Sequence, residues 1–206
     1  MIRRPPRSTL VPTRRSSDLG IICPLRKPTH TEDTPATRPI VITWAIRRLV
    51  SHILVAIIPE EHLRYIYRAG QFGIRASNAV EAILHANRIA FQRLQHNYQG
   101  ELTTAPTIIK LDGKNLYSTL SRRTIRSLLI QHSPWLVSIF DFYYGTPSAA
   151  HFTDGETISV AVGIIQGDPL SSFLCCLLYA SIFNEIRIRL RRTYSEDDTQ
   201  HLTITA

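Results

Sequence analysis

From Gly20 onward, apolar positions follow two alternating periods. Short β-forming runs predict strands at 21–25, 38–43 and 107–112, where Ile108, Ile109 and Leu111 follow Pro106. Between them, 45–57 reads as a helix, and Ser77 is a candidate N-cap for a second over 78–96. Its apolar stripe would be Ala79, Val80, Ile83, Leu84, Ala86 and Ile89. Ser121 is placed to cap a helix over 122–132, and Ser133-Pro134 to open another that ends near Gly145. Residues 150–162, with Asp154-Gly155 at their centre, predict a hairpin closed by a tight primed turn. A glycine-containing loop, GIIQGDPL, then leads into an apolar helix over about 171–190, and the alternating run HLTITA reads as a strand. No internal repeat is visible. Strands and helices interspersed in this way read as α/β.

Residues 1–19 stand apart. They show neither period, and Pro5, Pro6 and Pro12 oppose a helix. A basic arm or a transit peptide is one reading. The stretch also resembles the in-frame translation of sequencing-adapter DNA, so an artefactual, disordered tail is expected there. Of the formal charge of +8 (24 Lys and Arg against 16 Asp and Glu), this tail supplies five arginines and one aspartate. The remaining chain carries only +4, a weak hint of an anionic partner.

Composition excludes more than it assigns. A chain that is 44% hydrophobic and 19% charged is not built like a disordered one. Cys23, Cys175 and Cys176 make no disulfide framework and no zinc spacing, so an intracellular setting is expected rather than a stapled secreted one. No unbroken apolar run reaches the ~18 residues of a membrane span, so no membrane partner is expected. The eight histidines show no metal-binding spacing.

Chemistry concentrates in a few places. Asp112 ends an apolar run with Gly113 behind it, which suits either a carboxylate at a sheet end or simple Asp-Gly turn chemistry. In GIIQGDPL, Gly167 permits close backbone approach and the Gln166 amide is a hydrogen-bonding group. Asp168-Pro169 reads as N-cap and first helical residue. Arg38, held extended by Pro39, is a candidate phosphate contact, as is Lys27 upstream; a solvated surface role is the alternative. Arg47, Arg48, Arg187, Arg189, Arg191 and Arg192 suit phosphate contacts or solvated helix faces equally.

Four segments in order carry a resemblance: RPIVI (38–42), QFGIRASNAVEAI (71–83), LDGKNLYSTLSRRTI (111–125) and GIIQGDPLSSFL (163–174). Together they resemble successive blocks of a reverse transcriptase, closest to the polymerase domain of non-LTR retrotransposons and related retroelements. The resemblance implies a right-hand polymerase of α+β class, with fingers over about 20–105 and palm over about 106–206, the palm built on an antiparallel sheet with packed helices. It implies RNA-templated DNA synthesis on an RNA template and a DNA or RNA primer, from dNTPs. Two Mg²⁺ (or Mn²⁺) ions about 4 Å apart would clamp the reacting oxygens. By the same resemblance Asp112 is a metal ligand with the Gly113 carbonyl, and Tyr117 lies under the incoming sugar and excludes a 2′-hydroxyl. Arg38 would neutralise triphosphate, Gln166 and Gly167 would line the nucleotide site, and Asn115 and Arg122 would position. Gln71, Phe72 and Gly73 would serve template contact or packing.

The family's Tyr-x-Asp-Asp hairpin is expected after QGDPL. Either Asp197-Asp198 in TYSEDD supplies it, or the chain stops just before it, with 202–206 as the leading strand. The second reading is preferred, and an inactive fragment is then expected. Two further alternatives are another palm polymerase, such as an RNA-dependent RNA polymerase, and a degenerate or domesticated nucleic-acid-binding module without catalysis.

Overall fold

In a computed structural model, residues 20–26, 37–97, 113 and 115–193 are described. The strands are β1 (Gly20–Arg26) and β2 (Thr37–Ile42), followed by helices α1 (Ala45–Ala56), α2 (Glu60–Arg68), α3 (Ala79–Asn97) and the single turn α4 (Leu116–Thr119). Next come α5 (Arg122–His132), a 3₁₀ turn at Pro134–Leu136, and α6 (Val137–Tyr144). The hairpin β3 (Ser148–His151) and β4 (Thr157–Val160) precedes α7 (Pro169–Thr193). The fold is α+β, the class that the resemblance implies, where the pattern alone reads as α/β.

The sheet differs from the expected antiparallel one. Its order is β2-β1-β3-β4, and it is mixed, because Gly20 and Ile21 of β1 pair in parallel with Ala150 and His151 of β3. Parallel neighbours need a long crossover, and helices α1 to α6 lie between β2 and β3.

The β1–β2 register leaves one backbone donor of β2 free to reach another segment. Pro24 lies opposite Pro39, and neither residue can donate to the ladder. An antiparallel rung without donors must be a non-hydrogen-bonded pair, and pairs alternate, so Ile22↔Val41 is another such pair. The N–H of Val41 therefore points away from β1. It donates instead to the carbonyl of Gln166 at 2.9 Å.

α7 is the spine of the core. Phe173, Leu174, Leu177 and Ala180 are fully or almost fully buried, and the helix packs against α1, α2 and α5. Burial raises the thiol pKa values of Cys175 to about 12 and Cys176 to about 11, so both are neutral, small core residues. By length and composition α7 would suffice to cross a membrane, although it holds no unbroken apolar run of ~18 residues. Half of that apolar stretch is buried within the fold, as befits a core helix.

Several elements correct the pattern reading. α2 has no counterpart in it; Leu63 and Ile66 are the buried positions of this helix, Glu60 and Glu61 favour its N-terminus, and Arg68 its C-terminus. The hairpin loop is longer than a two-residue primed turn: Phe152 and Glu156 close it through an N–H to carbonyl bond of 2.8 Å. Thr153-Asp154-Gly155 forms the three-residue loop, with Gly155 at φ +97° and the Asp154 carboxylate accepting from the Glu156 N–H. The helix at 79 begins after Asn78 (φ 53°), one residue beyond the expected cap. The apolar stripe of α3 is exposed at Val80, Leu84 and Ile89. The capping expectation holds at Ser121, whose Oγ accepts from the N–H of Thr124. The strands expected at 107–112 and 202–206, and the tail at 1–19, lie outside the described residues.

Candidate nucleotide-binding site

Three segments that are distant in sequence, α1, α4 and the stretch 166–172, meet at the start of α7. They line an open cavity of about 350 Å³, formed by Arg48, His52, Tyr117, Gln166, Gly167, Asp168, Pro169 and Ser172. Three of these, Tyr117, Gln166 and Gly167, are among the four residues that the resemblance assigns to the nucleotide; the fourth, Arg38, is not in the lining.

The loop carrying Gln166 and Gly167 is fixed on three sides. Toward the sheet, Val41 holds the Gln166 carbonyl. Gly167 has φ +112°, and a Cβ there would lie 2.9 Å from the Val41 carbonyl oxygen, so both its conformation and its neighbour require glycine. Toward α4, the N–H of Ile164 donates to the Tyr117 carbonyl at 2.8 Å and that of Gly163 to Leu120 at 3.1 Å. Tyr117 and the loop therefore move as one unit.

The third anchor is ionic. Asp168 is buried, its Oδ2 accepting from Arg47 Nε at 3.0 Å and its Oδ1 from the Leu170 N–H at 3.0 Å. It is thus the N-cap, with Pro169 the first residue of α7. Arg47 is buried as well, its guanidinium 4.0 Å from the Tyr143 ring centre and 5.2 Å from that of Tyr144. Its Nη1 and Nη2 find no hydrogen-bond partner among the described residues, so the aromatic faces supplement the ion pair with Asp168. Arg47 is therefore neither a phosphate contact nor a solvated residue. Adjacent positions on a helix face different directions, and Arg48, the next residue of α1, lines the cavity instead.

Arg122 holds the back of the loop. Its guanidinium donates to four main-chain carbonyls: Gly163 (2.8 Å), Val160 (3.0 Å), and Tyr144 and Thr146 (3.3 Å each). This ties α6, β4 and the loop to the start of α5. Asn115 sits at φ 50° before α4, a left-handed conformation that asparagine tolerates.

Burial raises the Tyr117 pKa, chiefly by desolvation, with a smaller opposing effect from its hydrogen bond to Ser172. The phenol is neutral at physiological pH. A flat, neutral, half-buried ring beside an amide and a bare glycine backbone can support a sugar or base by packing and by hydrogen bonds.

Other candidates fall elsewhere. Arg38 is exposed on β2 and does not line the cavity. Gln71 is buried, Phe72 stacks on Tyr67, and Gly73 abuts Cys176 Sγ, so this block serves packing. Arg189 pairs with Glu185 on the surface of α7, and Arg187 donates to the Arg68 carbonyl. Gly113 is exposed and lies near Leu116 and the Tyr179 hydroxyl. Lys27, Asp112, Asp197 and Asp198 lie outside the described residues. Among the described residues no group of three or more His, Cys, Asp or Glu could hold a metal ion, so these residues alone do not form a divalent-metal site.

Besides Asp168 and Pro169, which the sequence reads as a helix start, Arg48, His52 and Ser172 are lining residues that it did not place in the site. Arg48 stands there only as one of six candidate phosphate contacts, and the i, i+4 spacing of Arg48 and His52 is the available signal. No protein-family model matches the chain, and no curated protein is significantly similar to it.

Proposed function

We propose that this domain holds the incoming nucleotide of an RNA-templated DNA polymerase of the reverse transcriptase type. The observation that carries the reading is the convergence of Tyr117 with Gln166 and Gly167 in one cavity. These residues come from two blocks about fifty positions apart, and the resemblance assigns both to the nucleotide. Tyr117 would carry the deoxyribose on its ring and leave no room for a 2′-hydroxyl. Gln166 would hydrogen-bond the sugar or base, and Gly167 would let the backbone approach it. The chain's described residues would bind and orient. Mg²⁺ held by Asp112 and the Gly113 carbonyl would supply charge neutralisation at the reacting phosphate.

Photolabelling tests this reading. Azido-dUTP should label peptides spanning 113–123 and 163–172, and excess dTTP should suppress that labelling. Labelling elsewhere, or labelling that dTTP does not suppress, would contradict it. A nucleic-acid-binding module without catalysis is the competing reading, and it predicts RNA binding with no protection of these peptides by dTTP.

A further inference from the structure

We propose that Arg48 and His52 bind the phosphate chain of the nucleotide. The proposal rests on the nucleotide reading and locates the anionic end of that ligand within the cavity.

α1 divides its polar side chains between two directions. Arg47 and Ser51 are buried in the core, whereas Arg48 and His52, each one position further on, line the cavity. The two cavity residues are one helical turn apart, so they can grip the same group. The carboxylate at the cavity, Asp168, is already fully engaged: Arg47 takes one oxygen and the Leu170 N–H the other. Arg48 forms no ion pair among the described residues. Arg47 and Asp168 offset one another, and the exposed Arg48 has no carboxylate partner among the described residues.

An anion meets that charge in good geometry. A guanidinium fork and an imidazole give charge-assisted, directional bonds to phosphate oxygens. Pro169 and Ser172 bring the first turn of α7 to the same cavity, where its leading N–H groups are already taken by Asp168, so the attraction for an anion comes from the α1 side chains. The other wall, from α4 and the loop, offers a neutral phenol, an amide and a glycine. A ligand matching both walls has a multiply charged end and a neutral end, as a nucleoside triphosphate does. Arg38 is about 10 Å along β2 from Val41, the residue that touches the loop. Its side chain belongs to an exposed position outside the lining.

Saturation-transfer NMR on the whole chain, titrated separately with dTTP, thymidine, tripolyphosphate and an oligo(rA) strand, tests the assignment. Arg48→Gln should weaken dTTP about tenfold and tripolyphosphate similarly, and leave thymidine unchanged. His52→Gln should weaken dTTP about threefold, and Arg38→Gln should leave it at the wild-type value. Circular dichroism confirms that each variant is folded. Unchanged dTTP binding in both α1 variants would overturn the proposal, as would equal losses of dTTP and thymidine, or a loss confined to oligo(rA). Wild-type protein that binds thymidine and dTTP equally well would overturn it while leaving a nucleoside site intact. Arg48-dependent binding of tripolyphosphate with dTTP no tighter would keep the phosphate site and remove the nucleotide reading.

Discussion

Gly167 shows how much of the site depends on a missing side chain. Its φ of +112° and the 2.9 Å separation between a notional Cβ and the Val41 carbonyl leave no place for alanine. Gly167→Ala should destabilise the fold by about 1–3 kcal/mol, measured by urea unfolding, and weaken nucleotide binding along with it. Arg122 is a second such residue, since one guanidinium satisfies four carbonyls. Arg122→Ala should cost roughly 3 kcal/mol, less than four independent bonds would suggest, because the carbonyls share one donor and partly regain water. Arg122→Lys, with a single donor head, should recover only part of that loss. Thermal unfolding of the two variants gives the comparison. Both residues stand in motifs that the sequence displays, so their importance was legible. Their partners were not, because Val41, Val160 and Tyr144 are brought to them by packing.

At the scale of elements, α1 and α7 carry the site between them, joined by the buried Arg47–Asp168 pair. Removing one member leaves the other charged and buried, so Asp168→Ala should cost about 3–5 kcal/mol. Arg47→Met should be comparably harmful alone. Combined with Asp168→Ser, which keeps an acceptor for the Leu170 N–H, it should lose less than either single change suggests; a double-mutant cycle by chemical denaturation measures this. The apolar core helix and the Ser121 cap were legible because periodicity and capping are local signals. α2 is hard to read because its pattern, EEHLRYIYR, has only Leu63 and Ile66 as buried anchors in nine residues. The stripe on α3 was legible as a helix, yet its exposure at Val80 and Leu84 is a tertiary fact that no period contains. The mixed sheet is hidden for the same reason: strand runs reveal strands, and the parallel β1–β3 contact joins Gly20 to Ala150.

The whole molecule responds to pH through the contact between α2 and α5. His132 stacks on Tyr65 with ring centres 3.9 Å apart, and burial, followed by the nearby His62, holds its pKa below the usual histidine value. His62 Nδ1 lies 3.4 Å from Trp135 Nε1 and 3.2 Å from Ser133 Oγ. An indole N–H only donates, so this nitrogen accepts and the proton of neutral His62 is on Nε2. A base whose folded pKa is depressed binds more protons when unfolded. His132 therefore contributes stability that is full above about pH 6.5 and is lost as pH falls toward its folded value. Because His132 is only partly buried, solvent screens it and the effect should stay below about 1 kcal/mol. His132→Phe, which keeps a stacking ring on Tyr65, should flatten the dependence of Tm on pH between about pH 7.5 and 5.5.

The charge of the whole chain is a poor guide to the site. Half of the +8 sits in residues 1–19, and the cavity has one arginine without a carboxylate partner among the described residues rather than a basic surface. The central claim is that Tyr117 supports a deoxyribose and rejects a ribose. Its most direct test is the ratio of dTTP to UTP affinity, measured by saturation-transfer NMR in wild type and in Tyr117→Ala. The wild-type protein should favour dTTP by about tenfold and the variant should bind both alike. Equal affinities in the wild type, or a preference that survives loss of the ring, would contradict that claim.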